Sequence, residues 1–106
     1  MRVLNIAELT RAGKKNAPLR AALNEWLRLT QDAIWRNIQD VKRTFPTVSG
    51  FAVKRTGGDV VVVTVFNIKG NEYRLITLVN YEVASVYVSA VLTHAEYDKE
   101  LWKGRL

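Results

Sequence analysis

Apolar residues recur with two different periods along this chain. Leu19, Ala22, Leu23 and Trp26, followed by Ile34, Ile38, Val41 and Phe45 with Trp35 beside them, stand three or four residues apart, which lays them along one side of a helix. Asn16 and Pro18 open that segment and Pro46 stops it, so residues 17–44 are predicted to form one bent helix or two in series. Beyond Pro46 the period shortens. Phe51-Ala52-Val53-Lys54 alternates weakly, Val60–Val65 and Ile76–Val79 are rich in β-branched residues, and Ser85–Leu92 alternates strictly, as strands do. Before the helices, Arg2-Val3-Leu4 predicts a short edge strand, and Asn5 with Glu8 three residues on reads as a capping box opening a helix to about Lys15. Thr93 with Glu96 repeats that signature and starts a last helix at His94. The expected fold is α+β: an antiparallel sheet of three to five strands, amino-terminal helices on one face, and a short carboxy-terminal helix.

The centre of the pattern is the hairpin around Gly70-Asn71. Pairing Lys69 with Glu72 across a two-residue loop sets Asn67 opposite Arg74, Val65 opposite Ile76 and Val63 opposite Leu78, so like meets like on one face. The apolar part of that face is expected to lie against the helices, with Lys69 and Arg74 at its exposed turn end. In the next strand, Arg74 is expected opposite Leu92, Ile76 opposite Ala90 and Leu78 opposite Val88. That brings His94 to the same end of the sheet, followed one helical turn later by Tyr97 and Asp98.

Length and charge narrow the partners. The 106 residues, 48% hydrophobic, suit one domain spanning 1–106. Sixteen Lys and Arg against ten Asp and Glu give a net charge of +6, which favours a polyanion such as nucleic acid. Without cysteine there is no disulfide framework or thiolate zinc site, and with one histidine and no carboxylate cluster no metal or other cofactor is expected. No apolar run has the length of a signal peptide or membrane span, so a cytoplasmic protein with no membrane partner is expected. P-loop, GxGxxG and GxSxG motifs are absent.

Cleaving RNA through its own 2′-hydroxyl needs a base, an acid and fixed cations where phosphate charge develops. Lys69, Arg74, His94 and Tyr97 supply candidates for each role. Asn67, Asn71, Lys54, Arg55 and Lys99 are candidate RNA contacts. Each also has a structural reading: Lys69 and Arg74 as solvated surface, His94 as a neighbour of the cap, Tyr97 as an anchor for the last helix. Arg11, Lys14, Lys15, Arg20, Arg28, Arg36, Lys42 and Arg43 read equally as a phosphate-binding flank or as ordinary helix surface. The three tryptophans, Trp26, Trp35 and Trp102, read as packing anchors.

The string Val65-Phe66-Asn67-Ile68-Lys69-Gly70-Asn71-Glu72-Tyr73-Arg74-Leu75, with Thr93-His94-Ala95-Glu96-Tyr97-Asp98-Lys99 following it, resembles the HigB-type toxins of the RelE-like superfamily, across roughly residues 30–100. The resemblance implies a ribosome-dependent mRNA interferase, an endoribonuclease that cuts translated mRNA without a metal. It matches the turn lysine, strand arginine, and helix histidine and tyrosine of those toxins to Lys69, Arg74, His94 and Tyr97. It also implies a helix-turn-helix antitoxin of the HigA kind as partner. The competing reading is a non-catalytic RNA- or protein-binding module on the same fold.

Overall fold

The computed structural model describes residues 1–106. In chain order the elements are β1 (Arg2–Leu4), α1 (Ile6–Gly13), α2 (Ala17–Asp32), α3 (Ile38–Thr44), β2 (Ser49–Lys54), β3 (Val60–Ile68), β4 (Tyr73–Asn80), β5 (Ser85–Thr93) and α4 (His94–Asp98), with a closing 3₁₀ turn at Leu101–Arg105. The five strands form one sheet in the order β1-β5-β4-β3-β2. Four strands make the expected antiparallel meander, whereas β1 lies parallel to β5, with Val3 beside Val86. The sheet is therefore mixed.

Side-chain capping explains where the helices break. The helical stretch divides in two because Asn37 accepts from the Asp40 N–H and Asp40 accepts from the Arg36 N–H, starting α3 afresh. The capping box expected at Asn5 does not form. Asn5 takes a left-handed conformation, φ 66°, and its amide donates to the Val88 carbonyl at 2.8 Å, tying the β1–α1 junction to β5.

Both faces of the sheet are covered. Phe66, Ile68, Leu75, Val86 and Val88 meet the amino-terminal helices, where Trp26, Trp35, Phe45 and Phe66 form an aromatic cluster with centroid separations of 5.2 to 6.1 Å. Val53, Val63, Val65 and Ile76 point the other way and are covered by Trp102. The Val65–Ile76 face was expected to lie against helices, and the ones it meets are the short carboxy-terminal turns rather than the amino-terminal helices. Strand alternation turns Phe66, Ile68 and Leu75 toward them instead, leaving the valine face to the carboxy-terminal segment.

The hairpin register is the expected one, with Asn67 opposite Arg74 and Val65 opposite Ile76. The turn is wider, however. Pairing ends at Ile68 and Tyr73, and Lys69 and Gly70 both adopt left-handed φ, 53° and 66°. On the other side Arg74 pairs with Leu92 and Ile76 with Ala90, as expected, but a bulge after Ile76 sets Leu78 opposite Tyr87 rather than Val88.

Candidate active site

The β3–β4 turn and the start of α4 are joined at one end of the sheet. β5 pairs Thr93 with Tyr73, and the next residue, His94, donates its backbone N–H to the Glu72 carbonyl at 3.0 Å. The Thr93 hydroxyl accepts from the Glu96 N–H while the Glu96 carboxylate accepts from the Thr93 N–H. That capping box, anticipated from the sequence, fixes the direction in which α4 leaves the sheet. Hydrogen bonding by Thr93, its backbone N–H first, holds the Glu96 carboxyl below the usual carboxylate range.

Arg74 is the unusual member of the cluster. It was expected at an exposed turn end, yet it is only 9% exposed. One guanidinium NH₂ group donates to the carbonyls of Asn71 and Tyr73 at 3.1 and 3.2 Å, and the other to Asn71 Oδ1 at 2.9 Å. These acceptors are all neutral. The guanidinium carbon stands 5.7 Å from the centre of the Tyr97 ring, within cation–π range. The turn thus bends back so that Asn71 holds Arg74 in place while its positive charge is left without a carboxylate. A buried cation with that surrounding attracts an anion strongly.

Two titratable side chains, His94 and Tyr97, stand at the same end of the sheet. His94 is exposed, and its Nε2 lies 3.2 Å from Asp98 Oδ2 one turn along α4; with Nε2 engaged by that carboxylate, Nδ1 is free toward solvent. Tyr97 is half-buried, its ring stacked on Trp102 at 5.4 Å and 12°. Burial raises the Tyr97 phenol above its ordinary pKa, and the charges of Arg74 and Lys103 oppose that rise. The ring packs on Trp102 with the Arg74 guanidinium over it, so anchoring the helix does not take Tyr97 away from the cluster.

The other candidates divide by position. Lys69 is exposed at the turn, with its ammonium 3.1 Å from Glu72, and Asn67 is half-buried directly across from Arg74. Lys99 caps the end of α4 and is exposed. Lys54 and Arg55 are not brought to this cluster. Lys54 pairs with Val60 and Arg74 with Asn67, seven residues apart on β3, a separation of roughly 23 Å at strand rise. Arg55 is held by Asp59 at 2.9 Å. On the helices, Arg11, Arg28, Arg36 and Arg43 pair with acids of their own segment, Glu8, Glu25, Asp32 and Asp40, which favours the helix-surface reading for these four. Sequence reasoning missed Lys103. Its spacing from Glu100 resembles any helical ion pair, and only the fold carries it onto the sheet.

No group of three or more His, Cys, Asp and Glu gathers as a metal site would require, and no helix is long and apolar enough to cross a membrane. In comparison with known proteins, residues 19–100 match the family described as HigB_toxin, the RelE-like toxic component of a toxin–antitoxin system. The mRNA interferase toxin HigB of Escherichia coli (strain K12) and the mRNA interferase HigB of Shigella flexneri are each 47% identical over 34 residues, covering 32% of this chain and 33% of the relative. The match thus spans about a third of each curated relative, while the family match takes in the second and third helices, the meander and the cluster around Arg74, and on that evidence the chain belongs to the HigB family of RelE-like toxins.

Proposed function

We propose that this protein is a ribosome-dependent mRNA interferase that cuts translated mRNA by attack of the 2′-hydroxyl on the adjacent phosphate. The observation that carries the reading is Arg74: a buried guanidinium held by neutral acceptors only, at the point where His94 and Tyr97 meet the hairpin turn. Its charge is free to meet a phosphate, and a rigid guanidinium stabilises the extra negative charge of the phosphorane-like state more than that of the bound diester. Lys69 adds a second cation from the turn.

In this scheme His94 Nδ1 takes the proton of the 2′-hydroxyl and O2′ attacks phosphorus. The bond from phosphorus to O5′ breaks, and the Tyr97 hydroxyl gives its proton to O5′. The products are a 2′,3′-cyclic phosphate and a 5′-hydroxyl. The Tyr97 phenol is protonated at neutral pH and so has a proton to give, and the Arg74 guanidinium over its ring favours the phenolate left behind. With so few groups, in-line placement of the phosphate falls to the ribosome. The protein works in the cytoplasm, and its partner is a helix-turn-helix antitoxin of the HigA kind.

Induced expression without the antitoxin tests this directly. Growth should stop, and mapped 5′ ends should cluster within translated messages. Normal growth and intact messages alongside soluble protein would exclude the toxin and leave a binding module. Purified protein should cut bare RNA far more slowly than ribosome-bound mRNA; efficient cutting of bare RNA contradicts the ribosome dependence.

A further inference from the structure

The carboxy-terminal segment builds a second cationic position beside the site. Trp102 is 6% exposed and lies on the valine face, among Val53, Val63, Val65 and Ile76. Its indole N–H donates to the Tyr97 carbonyl at 3.1 Å, locking the 3₁₀ turn to α4. The next residue, Lys103, is thereby laid across the sheet, its ammonium 5.8 Å from the Trp102 ring centre and 5.7 Å from that of Phe51 in β2. Two aromatic faces restrict an otherwise flexible side chain and hold its charge beside the sheet. Its carboxylate partner, Glu100 at 3.0 Å, is itself well exposed on the solvent side, so the pair is weak and easily exchanged for a stronger anion.

Four groups then stand in sequence: Arg74, the Tyr97 ring, the Trp102 ring and Lys103. Both cations act on the Tyr97 hydroxyl, each favouring its ionised form. Cations gathered at the turn end alone leave the RNA strand free to pivot there, whereas a further fixed cation along the strand's path defines its direction.

We propose that Lys103 is a phosphate-binding residue that holds the mRNA backbone beside the bond being cut, with Trp102 as the residue that positions it. This deepens the reading of Arg74, Tyr97 and His94 as the cleavage site and rests on it. It also gives the short carboxy-terminal turn a task beyond closing the valine core.

The test reads binding apart from cleavage. Ribosomes programmed with an mRNA carrying a 2′-deoxy residue at the cleavage position cannot be cut there, so the affinity of the full-length protein for them can be followed against salt. Lys103→Met keeps the apolar stem over Phe51 and Trp102 but removes the charge. It should weaken binding to these ribosomes about tenfold and flatten the logarithmic salt dependence by about one unit, as expected for one lost phosphate contact. Lys103→Arg should restore both. A purely structural role for Lys103 predicts instead unchanged salt dependence in Lys103→Met, and that result overturns the proposal. Wild-type protein that binds with this Lys103 dependence yet leaves the all-ribose mRNA intact would remove the cleavage reading while keeping the phosphate contact. Wild-type protein that does not bind programmed ribosomes at all removes both.

Discussion

Two of the three hairpin turns of the meander lie at opposite ends of the sheet, and in the sequence they look alike: each has glycine, an acid and basic residues within a few positions. At the β2–β3 turn, Arg55 reaches Asp59 four residues on, Nε and one NH₂ group both at 2.9 Å from the same carboxylate oxygen, and the pair is largely solvated. At the β3–β4 turn the acid, Glu72, takes Lys69 instead, while Arg74 is drawn under the turn by Asn71 and covered by Tyr97. The first arrangement neutralises its guanidinium where water already screens it. The second tucks a guanidinium under the turn, mostly out of water, and gives it no counter-charge. The difference between the two turns is that another element roofs the second, and α4 is that roof.

The largest effect that could break this comparison comes from the two arginines. Arg74→Lys keeps the charge but loses the planar fork, and should lower mRNA cleavage by about 10²-fold or more. Arg74→Ala should do so too and also destabilise by about 1–2 kcal/mol, because three hydrogen bonds at a 9% exposed position are lost. Arg55→Ala should leave cleavage within about twofold and stability within about 0.5 kcal/mol. Equal losses at both turns, read by ribosome-programmed cleavage and thermal melts, would mean the roofed geometry is not what matters.

The proton carrier comes next. His94→Gln should slow cleavage by about 10²-fold without unfolding, the usual scale for acid–base catalysis; a rate near wild type returns His94 to the role of helix start. Lys69→Ala, removing an exposed cation already shared with Glu72, should cost about tenfold in rate and little in melting temperature, since solvated ion pairs contribute under about 1 kcal/mol. A larger loss than in Arg74→Lys would move the main phosphate contact onto the turn itself.

A smaller effect tests the roof. Thr93→Ala removes the cap and should destabilise α4 by about 1 kcal/mol, read as faster amide exchange through His94–Asp98 and a partial loss of cleavage. The smallest is a pH dependence. Hydrogen bonds from Thr93 lower the Glu96 carboxyl in the folded protein, so its stabilisation is complete above the ordinary carboxylate pKa and is lost as pH falls through the lowered value. Exchange protection of α4 should therefore hold at neutral pH and decline in acid, and Glu96→Gln should abolish that dependence. Protection insensitive to acid in the unaltered protein would separate α4 from its capping box.

Much of the fold follows from local patterns. Helical and strand periods in the apolar residues fixed which segments form helices and which form strands, because burial rewards one spacing in each. The Gly70 turn and like-with-like pairing determined the β3–β4 register, and Thr93 with Glu96 placed the start of α4. Since β5 runs back to the turn, the meeting of Arg74, His94 and Tyr97 at one end of the sheet was also legible. Tertiary structure decided the rest. Both faces of β3 are apolar, so periodicity could not tell which would meet the amino-terminal helices; in the folded chain Phe66 and Ile68 meet them and Trp102 covers Val63 and Val65. The break at Asn37 and the left-handed Asn5 arise because one side chain can satisfy several backbone groups, and distant carbonyls such as that of Val88 compete for it. The bulge after Ile76 and the burial of Arg74 depend on contacts across strands. Lys103 lies nine residues beyond His94, and nothing short of the folded carboxy-terminal turn could show that its charge rests over Phe51, fifty-two positions earlier in the chain.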